Sequence, residues 1–244
     1  MFKRYYIYFL CFIIFSSNSF ASDEKIDEKK DSKLKGSMEG GITIENGNTK
    51  TESYYGSIKS EYDFYEKWKN LFNSKAHNQK ENRVRTKEEY RVNNQTRYSV
   101  TKLNYSFLEL EYVDDRFGGY DYRISETMGL GRSLIKEDNM SLTSQISTGL
   151  RQTKFSDGDK DDSWVIRFGT SFNWKINSTL SFSEDFDFSI DDSTRITKSD
   201  TNLKIALNKS LYLKFNLFVE NKSDVPQGIK NTDTRTMLVI GFSF

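Results

Sequence analysis

The chain has 244 residues, of which 29% are charged and 15% aromatic, with a formal net charge of +1 and a mean hydropathy of −0.71. A composition this polar, with no apolar run of about eighteen residues, excludes a helical membrane protein. Near-neutral charge gives no support to nucleic-acid binding, and one proline with regular alternation argues against disorder.

Met1-Phe2-Lys3-Arg4 is a basic start, residues 5–15 are an apolar run, and residues 16–21 end in Ser19-Phe20-Ala21. This pattern predicts a secretory signal peptide over 1–21, since eleven apolar residues are too few to cross a bilayer as an anchor. Cys11 is the only cysteine and falls inside that run. The mature chain is therefore expected to hold no thiol, disulfide or cysteine metal site. Cleavage removes Lys3 and Arg4 and no acid, leaving a formal charge of about −1. Residues 22–35 are a run of Lys, Asp, Glu and Ser that reads as a disordered, solvated leader.

From residue 36 onward, period-2 segments recur at intervals of about fifteen residues. Twelve are expected: 36–46, 50–64, 67–78, 87–101, 105–116, 119–134, 139–155, 163–174, 178–190, 194–207, 210–222 and 232–244. An even count suits a closed antiparallel barrel with both ends on the periplasmic side. Connections after the even segments are tight, as at Tyr65-Glu66 and Asn208-Lys209. Those after segments three, five, seven and eleven read as longer surface loops, and Asn46-Gly47-Asn48 reads as a tight surface hairpin.

Segment eight tests this reading by its length. Trp164, Ile166, Phe168, Thr170, Phe172 and Trp174 share one face, while Val165, Arg167, Gly169, Ser171 and Asn173 share the other. The two tryptophans are separated by a contour of about 33 Å, which a tilt of about 40° shortens to about 25 Å, the height of a barrel's apolar band. Segment eleven repeats the pattern with Leu211, Leu213, Phe215, Leu217 and Val219 outward. In segment twelve Thr234, Thr236, Leu238, Ile240, Phe242 and Phe244 alternate with Asp233, Arg235, Met237, Gly241 and Ser243. Trp164, Trp174, Tyr120, Tyr122, Phe242 and Phe244 are the expected membrane girdle. A soluble β-sandwich would leave the secretion signal and the terminal aromatic unused. Glu126 and Glu184 fall on the lipid face near mid-strand, and a local register shift is the expected remedy; Arg132 falls there near a strand end, where it can snorkel.

The same alternation sends Arg91, Arg97, Glu109, Glu111, Arg123, Arg151, Arg167, Asp185, Asp187, Lys204, Lys214, Glu220 and Arg235 into the lumen. Arg123, Arg151 and Arg167 sit on adjacent segments, flanked by Glu109 and Glu111 on one side and Asp185 and Asp187 on the other. A water-filled lumen would make this strip an anion-favouring constriction; a filled one would let the charges satisfy one another. No catalytic residue is expected. The single histidine, His77, ends segment three beside a polar loop, where an imidazole is ordinarily just solvated. Residues 157–162 resemble the start of a calcium loop, but the glycine is misplaced and Phe168 stands where a bidentate glutamate belongs. No cofactor or metal is expected.

Two stretches carry a family resemblance: Gly119-Tyr120-Asp121-Tyr122-Arg123-Ile124-Ser125, and the run from Asn221 through Ser223-Asp224-Val225-Pro226 to Thr234. Over nearly all of 36–244 the chain resembles the YdiY-like family of salt-induced outer-membrane proteins. The resemblance implies an outer-membrane β-barrel without an assigned activity and with no catalytic or ligand residues to carry over. Glu126 stands where it implies an apolar or small residue. The reading is thus an all-β, transmembrane up-and-down barrel of about twelve strands in the cell outer membrane. It is expected to be non-enzymatic: either a narrow pore for small, anionic solutes linked to salt or osmotic stress, or a closed structural barrel. Expected partners are outer-membrane lipid, lipopolysaccharide, and the barrel-assembly machinery that would read the strand ending in Phe244.

Overall fold

The computed structural model describes residues 34–45, 51–225 and 230–244. The signal peptide, most of the polar leader, the Asn46-Gly47-Asn48 hairpin and residues 226–229 lie outside this range. The twelve strands are β1 (Leu34–Glu45), β2 (Thr51–Tyr65), β3 (Trp68–Glu81), β4 (Val84–Ser99), β5 (Asn104–Asp115), β6 (Tyr120–Lys136), β7 (Met140–Phe155), β8 (Lys160–Lys175), β9 (Leu180–Ile190), β10 (Arg195–Ala206), β11 (Leu211–Lys222) and β12 (Thr232–Ser243). Every strand pairs antiparallel with its chain neighbours, and β1 pairs with β12, so the sheet closes on itself. Closure leaves no unpaired edge, the condition for exposing strands to hydrocarbon. At the seam Gly36 and Phe244 exchange both backbone hydrogen bonds at 3.0 Å.

Alternation then decides what each side is made of. Met38, Ile58, Leu108, Met128, Phe215 and Ile240 are exposed on the outside. Trp164 at the loop end of the barrel and Trp174, Phe242 and Phe244 at the turn end, where β1 begins and β12 finishes, are exposed on it too. The inside is polar, and its buried apolar members include the rings of Tyr105, Phe107, Tyr120, Tyr212 and Phe218. Tyr105 pairs with Gly131 and Tyr212 with Gly241. A Cβ at Gly131 would fall 2.1 Å from the Tyr105 ring, and one at Gly241 2.2 Å from the Tyr212 ring. These glycines are the space in which the rings lie.

Three features differ from the sequence expectations. Leu34 and Lys35, read as leader, belong to β1, and several strands run further toward the loop end than alternation showed. β3 and β4 meet across the two-residue turn Asn82-Arg83, both at positive φ (49° and 70°), in place of a long loop. Loops 116–119, 156–159 and 191–194 are no longer than turns 100–103, 176–179 and 207–210; 223–231, of which 226–229 lie outside the described residues, is nine residues long. The cause is that residues such as Asn78 to Glu81 are polar on both faces, so the ladder continues where the hydropathy pattern stops.

The second difference is Tyr120, expected in the girdle but 4% exposed inside the barrel. Between the pairs Val113–Arg123 and Asp115–Tyr120, β6 carries one residue more than β5. That bulge reverses the facing of everything before it, so Tyr120 turns inward while Tyr122 stays outward. The third concerns the outward acids. Leu110, Glu126 and Leu150 pair in unbroken register, so no shift removes Glu126 from the outer face. It makes no ion pair or side-chain hydrogen bond among the described residues. Glu184 is likewise outward, but it accepts from Ser199 Oγ at 2.6 Å and from the Thr201 hydroxyl on the neighbouring strand.

Two outcomes test this packing. Gly131→Val should displace the Tyr105 ring and lower the unfolding free energy by about 1–3 kcal/mol, the usual cost of overpacking, seen as earlier loss of the compact band in heat-modifiable gel mobility. Glu126→Leu should shift the same transition upward by about 1 kcal/mol, because it removes a carboxylate from the apolar belt.

Candidate functional site

The interior charges lie close enough to meet across the lumen. Arg167 on β8 donates to Glu109 Oε1 on β5 at 2.7 Å, lies 3.1 Å from Glu111 Oε2, and reaches Asp187 Oδ2 on β9 at 3.2 Å. Arg91 on β4 meets Glu89 and Glu111 at 3.1 Å each and Glu220 at 3.5 Å. Lys198 on β10 lies 3.5 Å from Glu111 and 3.9 Å from Glu220. β5 and β10 stand five places apart round the ring of twelve, as do β4 and β11, so these pairs join opposite walls. Glu111 and Glu220 are 7% and 3% exposed, meaning that little water separates the charges.

Nearer the loop end the network continues. Lys87 reaches Asp115 at 3.1 Å and Glu89 at 3.3 Å, and Lys222 reaches Glu220 at 3.6 Å. Arg235 on β12 meets Glu89 at 3.3 Å. Lys75 on β3 crosses to Asp200 on β10 at 2.7 Å. Buried charges cost less when each has opposite-charge neighbours and hydrogen bonds, and this network supplies both.

The arginines read as one strip have three different situations. Arg167 is compensated by three carboxylates. Arg151 donates to Asp191 in the loop between β9 and β10 and to Ser189 Oγ at 3.1 Å. Arg123 meets no carboxylate among the described residues; it donates to Thr153 Oγ1 at 3.3 Å and lies 4.5 Å from the Tyr120 ring centroid. Asp187 is held by Arg167, and Asp185 accepts from Ser171 Oγ at 2.6 Å. The strip is therefore no continuous run of free positive charge. Asp191 also accepts from the backbone N–H of Ser193 at 3.1 Å and of Thr194 at 2.6 Å. Burial alone would raise its carboxyl, but the Thr194 amide and the Arg151 guanidinium hold it below the usual carboxylate range.

Space is distributed unequally about the network. A cavity of about 620 Å³ occupies the turn end and shares Lys59, Asn73, Asn93, Asp185 and Asp187 with a second of about 200 Å³, which reaches Arg91, Glu111, Arg167 and Lys198. On the loop side of the network a cavity of about 110 Å³ is walled by Lys87, Glu220, Lys222 and Asp233. It shares no wall residue with the other two. The space entered from the turn end, a vestibule, thus reaches the ion-pair network and, at His77, Glu89 and Arg235, its loop side.

His77 is not on a loop. Because β3 continues to Glu81, the imidazole is 5% exposed inside the barrel, with Ser53 Oγ 2.9 Å from Nε2 and Arg235 Nη1 3.1 Å from Nδ1. Arginine can only donate, so Nδ1 accepts, Nε2 carries the proton, and Nε2–H donates to Ser53 Oγ. That polarity is the reverse of what a general base needs toward a serine hydroxyl. In the loop before β8, Asp157 Oδ1 accepts from the Asp159 amide at 3.0 Å, closing the turn on itself. The lumen also receives Lys87, Glu89, Asp115, Lys198, Asp200 and Lys222, which share the inward parity of Arg91, Glu111, Lys204 and Glu220 on their own strands, the signal by which alternation marks them.

A family model described as "Protein of unknown function, DUF481" matches residues 38–244. The chain is similar to the uncharacterized protein YdiY of Escherichia coli (strain K12), with 26% identity over 94% of this chain and 93% of that one. Among solved structures it resembles the NanC porin at a TM-score of 0.54 and 12% identity, covering 86% of this chain and 98% of that one. It also resembles the COG4313 outer membrane channel from Pseudomonas putida F1 at a TM-score of 0.51 and 9% identity, covering 90% and 100%. These likenesses concern the fold: a closed, porin-like barrel.

Asp191 provides a check on the loop tie. A carboxylate whose folded pKa is depressed contributes stability above its unfolded pKa and loses it as pH falls through the folded one. Asp191→Asn should therefore lower the unfolding midpoint at neutral pH, and the gap from the parent should narrow below about pH 4, followed by thermal denaturation in detergent across a pH series.

Proposed function

We propose that this chain, which belongs to the DUF481 family of proteins of unknown function, acts in the outer membrane as a non-enzymatic channel barrel whose lumen rests closed at mid-height. The observation that carries this reading is the bridge of Arg167, Glu111, Arg91, Lys198 and Glu220 between opposite walls. The porin-like likenesses support a channel frame, and the inverted hydrogen-bond polarity at His77 supports the absence of hydrolytic chemistry. With the ends assigned as in bacterial outer-membrane barrels, the vestibule faces the periplasm and the loop end the medium. Passage of a small solute would require the bridge to part. A charged bridge can do so, because water replaces each partner as it leaves. Phe244, paired at the seam with Gly36, is the group we assign to recognition by the assembly machinery, with lipid and lipopolysaccharide against the outer belt.

The reading of a permanently closed structural barrel makes the opposite forecast in planar-bilayer recording. On the channel reading, the parent protein should show only small, infrequent conductance steps, and Glu111→Gln combined with Arg167→Gln should enlarge them severalfold. Large steady conductance in the parent, or no conductance even in the double variant, would count against it.

A further inference from the structure

The partners of the interior charges separate the lumen into a neutralised middle and a cationic mouth. Of the carboxylates in the wall of the 620 Å³ vestibule, Glu61 is held by Lys69, and Glu109 and Asp187 are held by Arg167. Asp185 alone has no cation within ion-pair distance among the described residues. The cations in the same wall are Lys35, Lys59, Arg97 and Lys204. None of these four has a carboxylate within ion-pair distance among the described residues. Arg97 donates to the Gln95 side chain and lies 4.5 Å from the Tyr105 ring centroid. Lys204 lies 3.6 Å from the Tyr212 ring centroid and donates to Ser243 Oγ at 3.3 Å. The two rings that rest on Gly131 and Gly241 thus hold two cations against opposite walls of the mouth without cancelling their charge.

A second observation, independent of the first, concerns the rim. Lys67, Lys102, Lys136, Lys175 and Lys209 stand in or beside each of the five turns at this end, all exposed, against Glu66, Glu137 and Asp138. An excess of one sign around a walled mouth concentrates the opposite ion and raises its rate of entry. The cationic groups lie where the lumen is wide, and the compensated ones where ion pairs cross it. From these placements we propose that the vestibule is a binding site for a small hydrophilic anion with several carboxylate groups, held by Lys59, Arg97 and Lys204 and drawn in by the turn lysines. This goes beyond the channel reading and does not need it: an anion can bind from the turn end whether or not the bridge opens.

Titration calorimetry with citrate tests the site on the full barrel in zwitterionic detergent, with heat-modifiable gel mobility certifying that each variant is folded. Saturable binding is expected, weakening as salt is raised. Lys204→Gln and Arg97→Gln should each lower the affinity about tenfold, the loss of one charge-assisted contact. Lys102→Gln with Lys175→Gln should steepen no contact inside and should mainly reduce the salt dependence. No saturable citrate binding at low salt, or an affinity unmoved in folded Lys204→Gln and Arg97→Gln, would overturn the proposal. Because binding is read at equilibrium, a barrel that fails to conduct yet binds citrate would refute the channel alone.

Discussion

Everything in this barrel follows from a wall that must satisfy its own backbone. A strand in hydrocarbon finds no water for its N–H and C=O groups, so the sheet has to close, and the Gly36–Phe244 pair is where it does. Once closed, the two faces of every strand have different solvents, and period-2 alternation delivers polar residues inward whether or not each has a task. With twelve strands the enclosed space is narrow. Arg91 and Lys198 then reach carboxylates five strands away round the ring and Arg167 reaches two that are three strands away, and a lumen that alternation alone would leave hydrated becomes crossed by ion pairs.

Where those pairs form is set by how much water competes. At mid-height the groups are largely buried, and a guanidinium there without carboxylates would be costly, which is why Arg167 has three and Arg91 has three. Toward the turn end solvation improves and the requirement relaxes. Arg97 and Lys204 are left with a ring and a neutral acceptor instead of an acid. The outer face shows the same logic inverted. Glu184 has two hydroxyls from β10 for company, whereas Glu126 sits between Leu110 and Leu150 with none.

Much of this was legible in the residues, but unevenly. The twelve strands, their facing and the inward arginines follow from alternation, since the belt between Trp164 and Trp174 imposes opposite solvents on alternate positions. Strand ends were not legible, because beyond the belt both faces are wet and β3 keeps its hydrogen bonds through Asn78 to Glu81 without any hydropathy signal. For that reason His77, expected at a segment end beside a loop, lies well within β3. Tyr120 was misplaced because one extra residue in β6 inverts the parity, and a bulge leaves no mark in composition. Partners across the lumen were illegible altogether: neighbours on a strand ladder can be inferred from register, but that Lys75 faces Asp200 depends on barrel diameter and shear.

The chemistry of the plug bears on whether the barrel is a passage at all. A lumen meant only to be filled is built more stably from apolar side chains, since replacing buried ion networks by well-packed hydrophobic groups is commonly neutral or stabilising. The chain does this locally, with Tyr105, Phe107 and Tyr212 buried on the inner wall, yet it joins opposite walls by ion pairs. An apolar plug, once displaced, would expose greasy surface to water in the lumen and close again by burial. Separated Arg–Glu pairs instead exchange one set of strong hydrogen bonds for another with water, so the difference between joined and parted states is small compared with the interactions involved. On the proposed channel reading, ion pairs between opposite walls therefore suit a seal that parts and re-forms better than an apolar plug would.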